Sequence, residues 1–164
     1  MPEPAITELE KLKDHPALAR LLAWNSAAVL GARWDRNEIS VSIDRALIRD
    51  AAALLKDDPE VKFDFLSDLT CVDLYPNEPR FEVIYHLLSM KLKERVRLKV
   101  KLAGDDASVE SLTSVWAGAN FFEREVWDLF GVKFLGHPNL SRIMMPEDWE
   151  GHPLRKDYPV EGYR

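Results

Sequence analysis

From Arg95 to Leu102 basic and apolar residues alternate without a break, Arg95, Arg97, Lys99 and Lys101 against Val96, Leu98, Val100 and Leu102. Only an extended strand sends every second side chain to the same face, so this segment needs a core on one side and water on the other. A single strand cannot supply that core. The alternation therefore demands a sheet with something packed on its apolar face, and Gly104-Asp-Asp106 marks where the strand ends.

Other segments supply the sheet and its cover. Val29 to Trp34 and Ile39 to Ile43 flank Asp35-Arg-Asn-Glu38, with Ile39, Val41 and Ile43 alternating with serines, which predicts a half-buried hairpin. Phe63 to Leu74 and Phe81 to Leu88 are rich in β-favouring residues and so evenly apolar that both read as inner strands. Helices are predicted over residues 1 to 24, opened by a Thr7/Glu10 capping box and divided at His15-Pro16. A third follows Asp44, with Leu47, Ile48, Ala51, Leu54 and Leu55 on one stripe and Asp57-Asp58-Pro59 as its stop. A fourth runs from about Ser114 to Phe130, with Val115, Ala119, Phe122, Val126 and Leu129 on one face and Gly131 as its C-terminal stop. Strands followed by a helix indicate an α+β fold, a mainly antiparallel sheet with packed helices.

After residue 131 the character changes. Pro138, Pro146, Pro153 and Pro159, with Gly136, Gly151 and Gly162, leave no room for long regular elements. Ile143, Met144, Met145, Trp149 and Tyr158 are too apolar for a disordered linker. We expect residues 1–131 to form the core domain and 132–164 an extended Pro-rich tail that docks on a partner.

The 164-residue chain is 46% hydrophobic and needs no disulfide or metal to build a core. Its net charge of -6 argues against general nucleic-acid affinity. The basic run from Lys91 to Lys101 lacks the stacking aromatics of a single-strand binder, so a solvated strand face explains it better. No stretch reaches the length of a membrane span. The opening Met1-Pro-Glu-Pro-Ala-Ile-Thr-Glu8 has no secretory or presequence pattern, which points to a bacterial cytoplasmic start. No Gly-rich phosphate loop is present.

One cysteine, Cys71, excludes an intrachain disulfide and a self-contained iron–sulfur cluster, and its apolar neighbours predict a buried, inert thiol. His137 and His152 stand in repeated Gly-His-Pro triplets whose spacing suits turns better than metal ligation, although Asp148, Glu150 and Asp157 are near. His86, in an apolar strand, reads as a sheet residue. Glu123-Arg-Glu-Val-Trp-Asp128 offers paired carboxylates, a pattern compatible with hydrolase chemistry, but with no evident nucleophile a solvated or ion-paired helix face is the simpler reading. Trp127 among these charges favours an interface.

Three motifs then occur in one order: Phe65-Leu-Ser-Asp-Leu-Thr-Cys-Val-Asp73, Phe81-Glu-Val-Ile-Tyr-His-Leu-Leu88 and Phe122-Glu-Arg-Glu-Val-Trp-Asp-Leu-Phe-Gly131. Gly136-His-Pro-Asn-Leu-Ser-Arg142 follows, and Met145-Pro-Glu-Asp-Trp-Glu-Gly-His-Pro-Leu-Arg-Lys-Asp-Tyr-Pro159 closes the series. Over about residues 61 to 163 the chain closely resembles the 30-kDa subunit family of respiratory complex I, the proton-pumping NADH:quinone oxidoreductase. The resemblance implies a hydrophilic subunit of the peripheral arm without an active site of its own. It implies that the chain binds no flavin or cluster itself, with FMN and iron–sulfur clusters in partner subunits. It implies docking on the quinone-site subunit of complex I, which helps form the quinone pocket, and on neighbouring cluster-bearing subunits, with the assembly on the cytoplasmic side of the bacterial inner membrane. Glu123, Arg124, Glu125, Asp128, Arg142, Asp148, Trp149, His152, Arg155, Asp157 and Tyr158 are the expected partner-interface residues. The related subunit of membrane-bound energy-converting [NiFe] hydrogenases shares the Glu-Arg-Glu helix and is the alternative.

Overall fold

The computed structural model describes residues 5–162, so Met1 to Pro4 of the opening segment lie outside it. The chain runs α1 (Leu9–Leu12), α2 (Pro16–Asn25), β1 (Val29–Asp35), β2 (Glu38–Ile43), α3 (Ile48–Asp57), β3 (Phe65–Asp73), β4 (Phe81–Ser89), β5 (Glu94–Leu102), β6 (Ser108–Glu110), α4 (Ala119–Phe130) and β7 (Lys133–Leu135). Five strands form one sheet in the order β1-β2-β5-β4-β3. All its pairings are antiparallel except β2 with β5, and β6 with β7 makes a small parallel pair. The architecture is the α+β one that the alternation demands.

The β4–β5 register explains the core. Phe81, Val83, Tyr85 and Leu87 stand opposite Leu102, Val100, Leu98 and Val96, and all eight are buried. On the other face Lys99 pairs with Glu82 at 2.9 Å and Arg97 pairs with Glu38. The basic run is thus a partly ion-paired sheet face. Arg36 and Asn37, both with positive φ, make the tight turn between β1 and β2 that matches strand twist.

Helices cover the apolar face. Pro16 starts α2, where its missing N–H costs nothing, and Ala17, Leu18 and Leu21 are buried. From α3 the buried residues are Ile48, Ala51, Ala52 and Leu55. Cys71 is buried, and burial pushes its thiol up to about 12, as suits an inert core residue.

Three local expectations change. The Thr7/Glu10 box does not form: Glu8 holds the N-cap position without a side-chain bond, and Glu10 accepts from Lys13 Nζ at 3.0 Å. The fourth helix begins at Ala119 rather than near Ser114, because Lys56 Nζ takes the Val115 carbonyl and three-residue turns replace the helical ladder. β4 is an inner strand but β3 is an edge, apolar because Leu66, Leu69 and Cys71 are buried while Phe65 stays 52% exposed. No helix among the described residues is long and apolar enough to cross a membrane.

Candidate partner-docking site on helix α4 and the C-terminal segment

Asp128 and Glu123 are both 0% exposed, so of the solvated or ion-paired face expected for this helix the ion-paired half holds at Asp128, which pairs with Arg142, and the solvated half holds at neither. They sit roughly 140° apart around α4 at 100° per residue. Burying both requires a cover on two sides. The domain's own β6–α4 connection supplies one, and the segment after Gly136 supplies the other.

Asp128 organises the second cover. Its Oδ2 accepts the successive backbone N–H groups of Ile143, Met144 and Met145 at 3.0, 2.8 and 2.9 Å, and its Oδ1 accepts from Arg142 at 2.5 Å. Consecutive N–H groups converging on one carboxylate form an anion nest. Burial alone would raise this carboxyl, but these hydrogen bonds outweigh it and hold Asp128 below the ordinary carboxylate range. Arg142 also donates to the carbonyls of Trp149 at 2.7 Å and Gly151 at 3.1 Å, and its guanidinium lies 5.7 Å from the Trp127 ring centre. Arg124, one turn earlier on α4, donates to the carbonyls of Ser141 and Arg142 at 3.1 and 3.0 Å.

The closing motif caps the helix. The last carbonyls of an α-helix lack intrahelical donors, and here each has one. Gly131 N–H donates to Trp127 O at 2.8 Å, His152 Nδ1–H to Asp128 O at 2.9 Å, Leu154 N–H to Leu129 O at 3.0 Å and Arg155 Nε to Phe130 O at 2.6 Å. His152-Pro-Leu-Arg155 is therefore a helix cap supplied from a distance in sequence. Gly131 has φ +78°, and a Cβ there would fall 2.6 and 2.7 Å from the His152 ring. Only glycine fits both the turn and the cap. His137 does a smaller job of this kind: Nε2 donates to Asn120 O at 3.2 Å while Nδ1 accepts from Asn139 N at 3.0 Å.

A further fastening lies at the end of β3. Arg80 bonds Asp73 through Nε and a terminal nitrogen at 3.0 and 2.9 Å, and reaches Asp157 through both terminal nitrogens at 2.9 and 2.6 Å. Asp73 also accepts the backbone N–H groups of Tyr75 and Lys156, each at 2.9 Å. Burial opposes ionisation of Asp73, but the bonds from Arg80, Lys156 and Tyr75 dominate and bring it down to about 2. The pairing with Asp157 and Asp73 raises Arg80 further above its already high range. Neither Asp73 nor Arg80 was among the expected interface residues. A signal existed: Asp73 continues the inward parity of Leu69 and Cys71, and a carboxylate at such a position needs a partner.

Glu123 faces the other way. Its oxygens accept from Ser111 Oγ and Leu112 N, both at 2.6 Å, tying the β6–α4 connection to the helix. Burial dominates these bonds and pushes its carboxyl up to about 7, while the buried Tyr85 hydroxyl nearby has no hydrogen-bond partner among the described residues. A carboxyl raised on folding gives stability that is full below about 4.5 and is lost as pH climbs through about 7. We predict that urea-unfolding free energy falls on the order of 3 kcal/mol between pH 5 and 9 from this group. Glu123→Gln, which can donate to Ser111 and accept from Leu112, should remove most of that slope; an unchanged slope would contradict the assignment.

The expected site residues thus divide by placement. Arg124, Asp128, Arg142, His152, Arg155 and Asp157 join the C-terminal segment to the chain's own domain, and Glu123 supports the β6–α4 connection. Tyr158 donates from its hydroxyl to Glu150 O at 3.2 Å. Glu125, Asp148 and Trp149 are exposed. Phe121, Met144 and Leu154 are 61%, 60% and 50% exposed. Among the described residues no group of three His, Cys, Asp or Glu is placed to hold a metal ion.

Residues 41–164 match the family model described as "Respiratory-chain NADH dehydrogenase, 30 Kd subunit". The NADH-quinone oxidoreductase C subunit of Roseiflexus castenholzii is 52% identical over 148 residues, covering 90% of this chain and 85% of the relative. A solved trypsin-resistant fragment of Nqo5 superposes with a TM-score of 0.61 at 29% identity, over 76% of this chain and 99% of the fragment. A chain of an archaeal membrane-bound sulfane sulfur reductase has a TM-score of 0.72 at 24% identity, over 87% of this chain and 84% of that one, and shares the fold. The nest, the cap and the Arg80 fastening all lie inside the matched residues, and the chain belongs to the 30-kDa subunit family of respiratory-chain NADH dehydrogenase.

Proposed function

We propose that this chain is a non-catalytic, hydrophilic subunit of the peripheral arm of a proton-translocating NADH:quinone oxidoreductase. In this reading it docks on the quinone-site subunit and on neighbouring cluster-bearing subunits, and FMN and iron–sulfur clusters belong to those partners. Its membrane association, on the cytoplasmic side of the bacterial inner membrane, runs through the complex. Its contribution is positional: it holds subunits in register so that electron-transfer distances between NADH and quinone stay fixed.

One observation supports this most. Arg142, His152, Arg155 and Asp157 of the C-terminal segment are bonded to its own domain, while Ile143, Met144, Trp149 and Leu154 of the segment and Phe121 of α4 remain exposed. A segment held so firmly with its apolar side chains outward is shaped to be covered by another protein. The hydrogenase alternative is not favoured, because the similar relatives are NADH-quinone oxidoreductase C subunits.

The test is to delete the chain and restore it as wild type or as Glu125→Arg/Met144→Asp, two exposed changes beside the fastened segment. We expect lower abundance of the assembled complex on native gels, with quinone turnover per assembled complex unchanged. Normal abundance with a specific loss of turnover would instead indicate a direct catalytic role.

A further inference from the structure

The strands β3 and β4 carry apolar residues on both faces, and the described residues bury those of one face only. Residues opposite each other in an antiparallel register share a face, so Phe65 lies beside Leu88, Thr70 beside Ile84 and Val72 beside Glu82, all turned away from the buried Leu69, Cys71, Val83 and Tyr85. Phe65 and Val72 are 52% and 39% exposed, Ile84 and Leu88 are half-buried, and none of the four belongs to the core or packs against it. A solvated sheet face is polar at its outward positions. Here apolar residues alternate with polar ones on that face, the pattern of a sheet covered on both sides.

Charge at its border narrows what the cover is. β5 continues the face with Arg95 beside Leu88 and Lys101 beside Glu82. Between them Arg97 is taken by Glu38 and Lys99 by Glu82. Arg95 and Lys101 are exposed, and neither has a hydrogen bond or ion pair from its side chain to another described residue. In a chain of net charge -6 this leaves two free cations on one strand, about 20 Å apart at the strand's rise per residue. Asp68, beside His86 on the far side of the apolar residues, is a carboxylate without a bonded cation.

We propose that this face receives an amphipathic helix of a neighbouring subunit, its apolar stripe on Phe65, Val72, Ile84 and Leu88 and its carboxylates on Arg95 and Lys101. This rests on the docking role proposed above and adds a second contact surface, on the side of the sheet away from this chain's own helices. A helix is the element that ordinarily layers onto a sheet face. To reach from one free cation to the other it needs about 13 residues, with an acidic side chain near each end.

The test uses the assembled complex in membranes. Phe65→Thr/Val72→Thr and, separately, Arg95→Glu/Lys101→Glu should each increase release of the chain in a salt-wash series about tenfold, while Arg95→Lys/Lys101→Arg should keep it bound. All these positions lie on the outer face, and Thr suits a strand, so the fold is kept. With Thr70, midway along the face, replaced by the photocrosslinker p-benzoylphenylalanine, the crosslinked partner peptide should have apolar residues at a period of 3.6 and Asp or Glu about 13 residues apart. Changing those acids to lysine should restore retention of Arg95→Glu/Lys101→Glu. Wild-type retention of both disruptive variants would overturn the helix site while leaving the docking role standing. So would crosslinks confined to copies of this chain, to nucleic acid, or to peptides without that pattern. Wild-type chain that does not copurify with NADH:quinone oxidoreductase activity would overturn both.

Discussion

Asp128→Ala is expected to cost about 3–5 kcal/mol of folding stability and to expose residues 137 to 162 to protease. The carboxylate has no substitute. Its removal leaves Ile143, Met144 and Met145 N–H groups and the Arg142 guanidinium, 12% exposed at the side chain, without their buried acceptor. An uncompensated buried cation and orphaned donors are each costly, and the segment relieves them most easily by leaving the helix. That in turn strips the carbonyls of Leu129 and Phe130 of their caps. Arg142→Ala should cost less, because Asp128 keeps its three backbone donors. Urea unfolding followed by tryptophan fluorescence, with limited proteolysis read by mass spectrometry, measures both effects. A loss below about 1 kcal/mol with an intact cleavage pattern would contradict the nest as the main fastening.

Arg80→Ala is expected to cost about 3 kcal/mol, and its pH dependence identifies the cause. In the wild-type chain Asp73 is held down to about 2, so its contribution is present above the ordinary carboxylate range and is lost only as pH falls through about 2. Without Arg80 the same carboxylate, 2% exposed at the side chain, keeps only backbone donors and its carboxyl moves up. The variant's deficit against wild type should therefore shrink as pH drops from 7 to 4, where protonation removes the unpaired charge. Arg80→Ala/Asp73→Asn should recover part of the loss at pH 7. Two stacking contacts go as well, since the guanidinium lies 5.0 Å from the ring centres of both Tyr75 and Phe81. A deficit independent of pH would assign the cost to these rings instead.

The elements with a strong period were readable in the sequence and the long-range satisfaction of polar groups was not. Alternation placed β2 and β5 on the right faces, because a strand's period of two survives any tertiary context. It could not reveal that β2 pairs with β5 in parallel, a choice made by where α3 and the β3–β4 hairpin fit. The excess of proline and glycine after residue 131 correctly forbade long elements there. What that segment does was hidden, because a cap on Asp128, Leu129 and Phe130 supplied by His152, Leu154 and Arg155 leaves no local pattern. The ion pair allowed for this helix face is present at Asp128, but the burial of Glu123 and Asp128 was hidden for the same reason: two charges near each other on one helix give no sign that both sides of the helix are covered.

These contacts give physical content to the positional role. The domain builds a sheet and helix, the helix end and the β3 corner hold a segment that has almost no regular structure, and that segment carries exposed apolar side chains. Shape in the segment is thus inherited from the domain by hydrogen bonds. Partners would meet a preformed surface, which lowers the entropy lost on association.

The most direct test of the account is to tag the N-terminus, purify the chain from detergent-solubilised membranes and record what copurifies, with its absorption spectrum and activity. The account predicts flavin and iron–sulfur absorbance from partner subunits together with NADH:quinone reductase activity, and a reduced yield of that assembly with Asp128→Ala. A lone colourless chain, or recovery with a nickel-containing hydrogenase subunit, would contradict it.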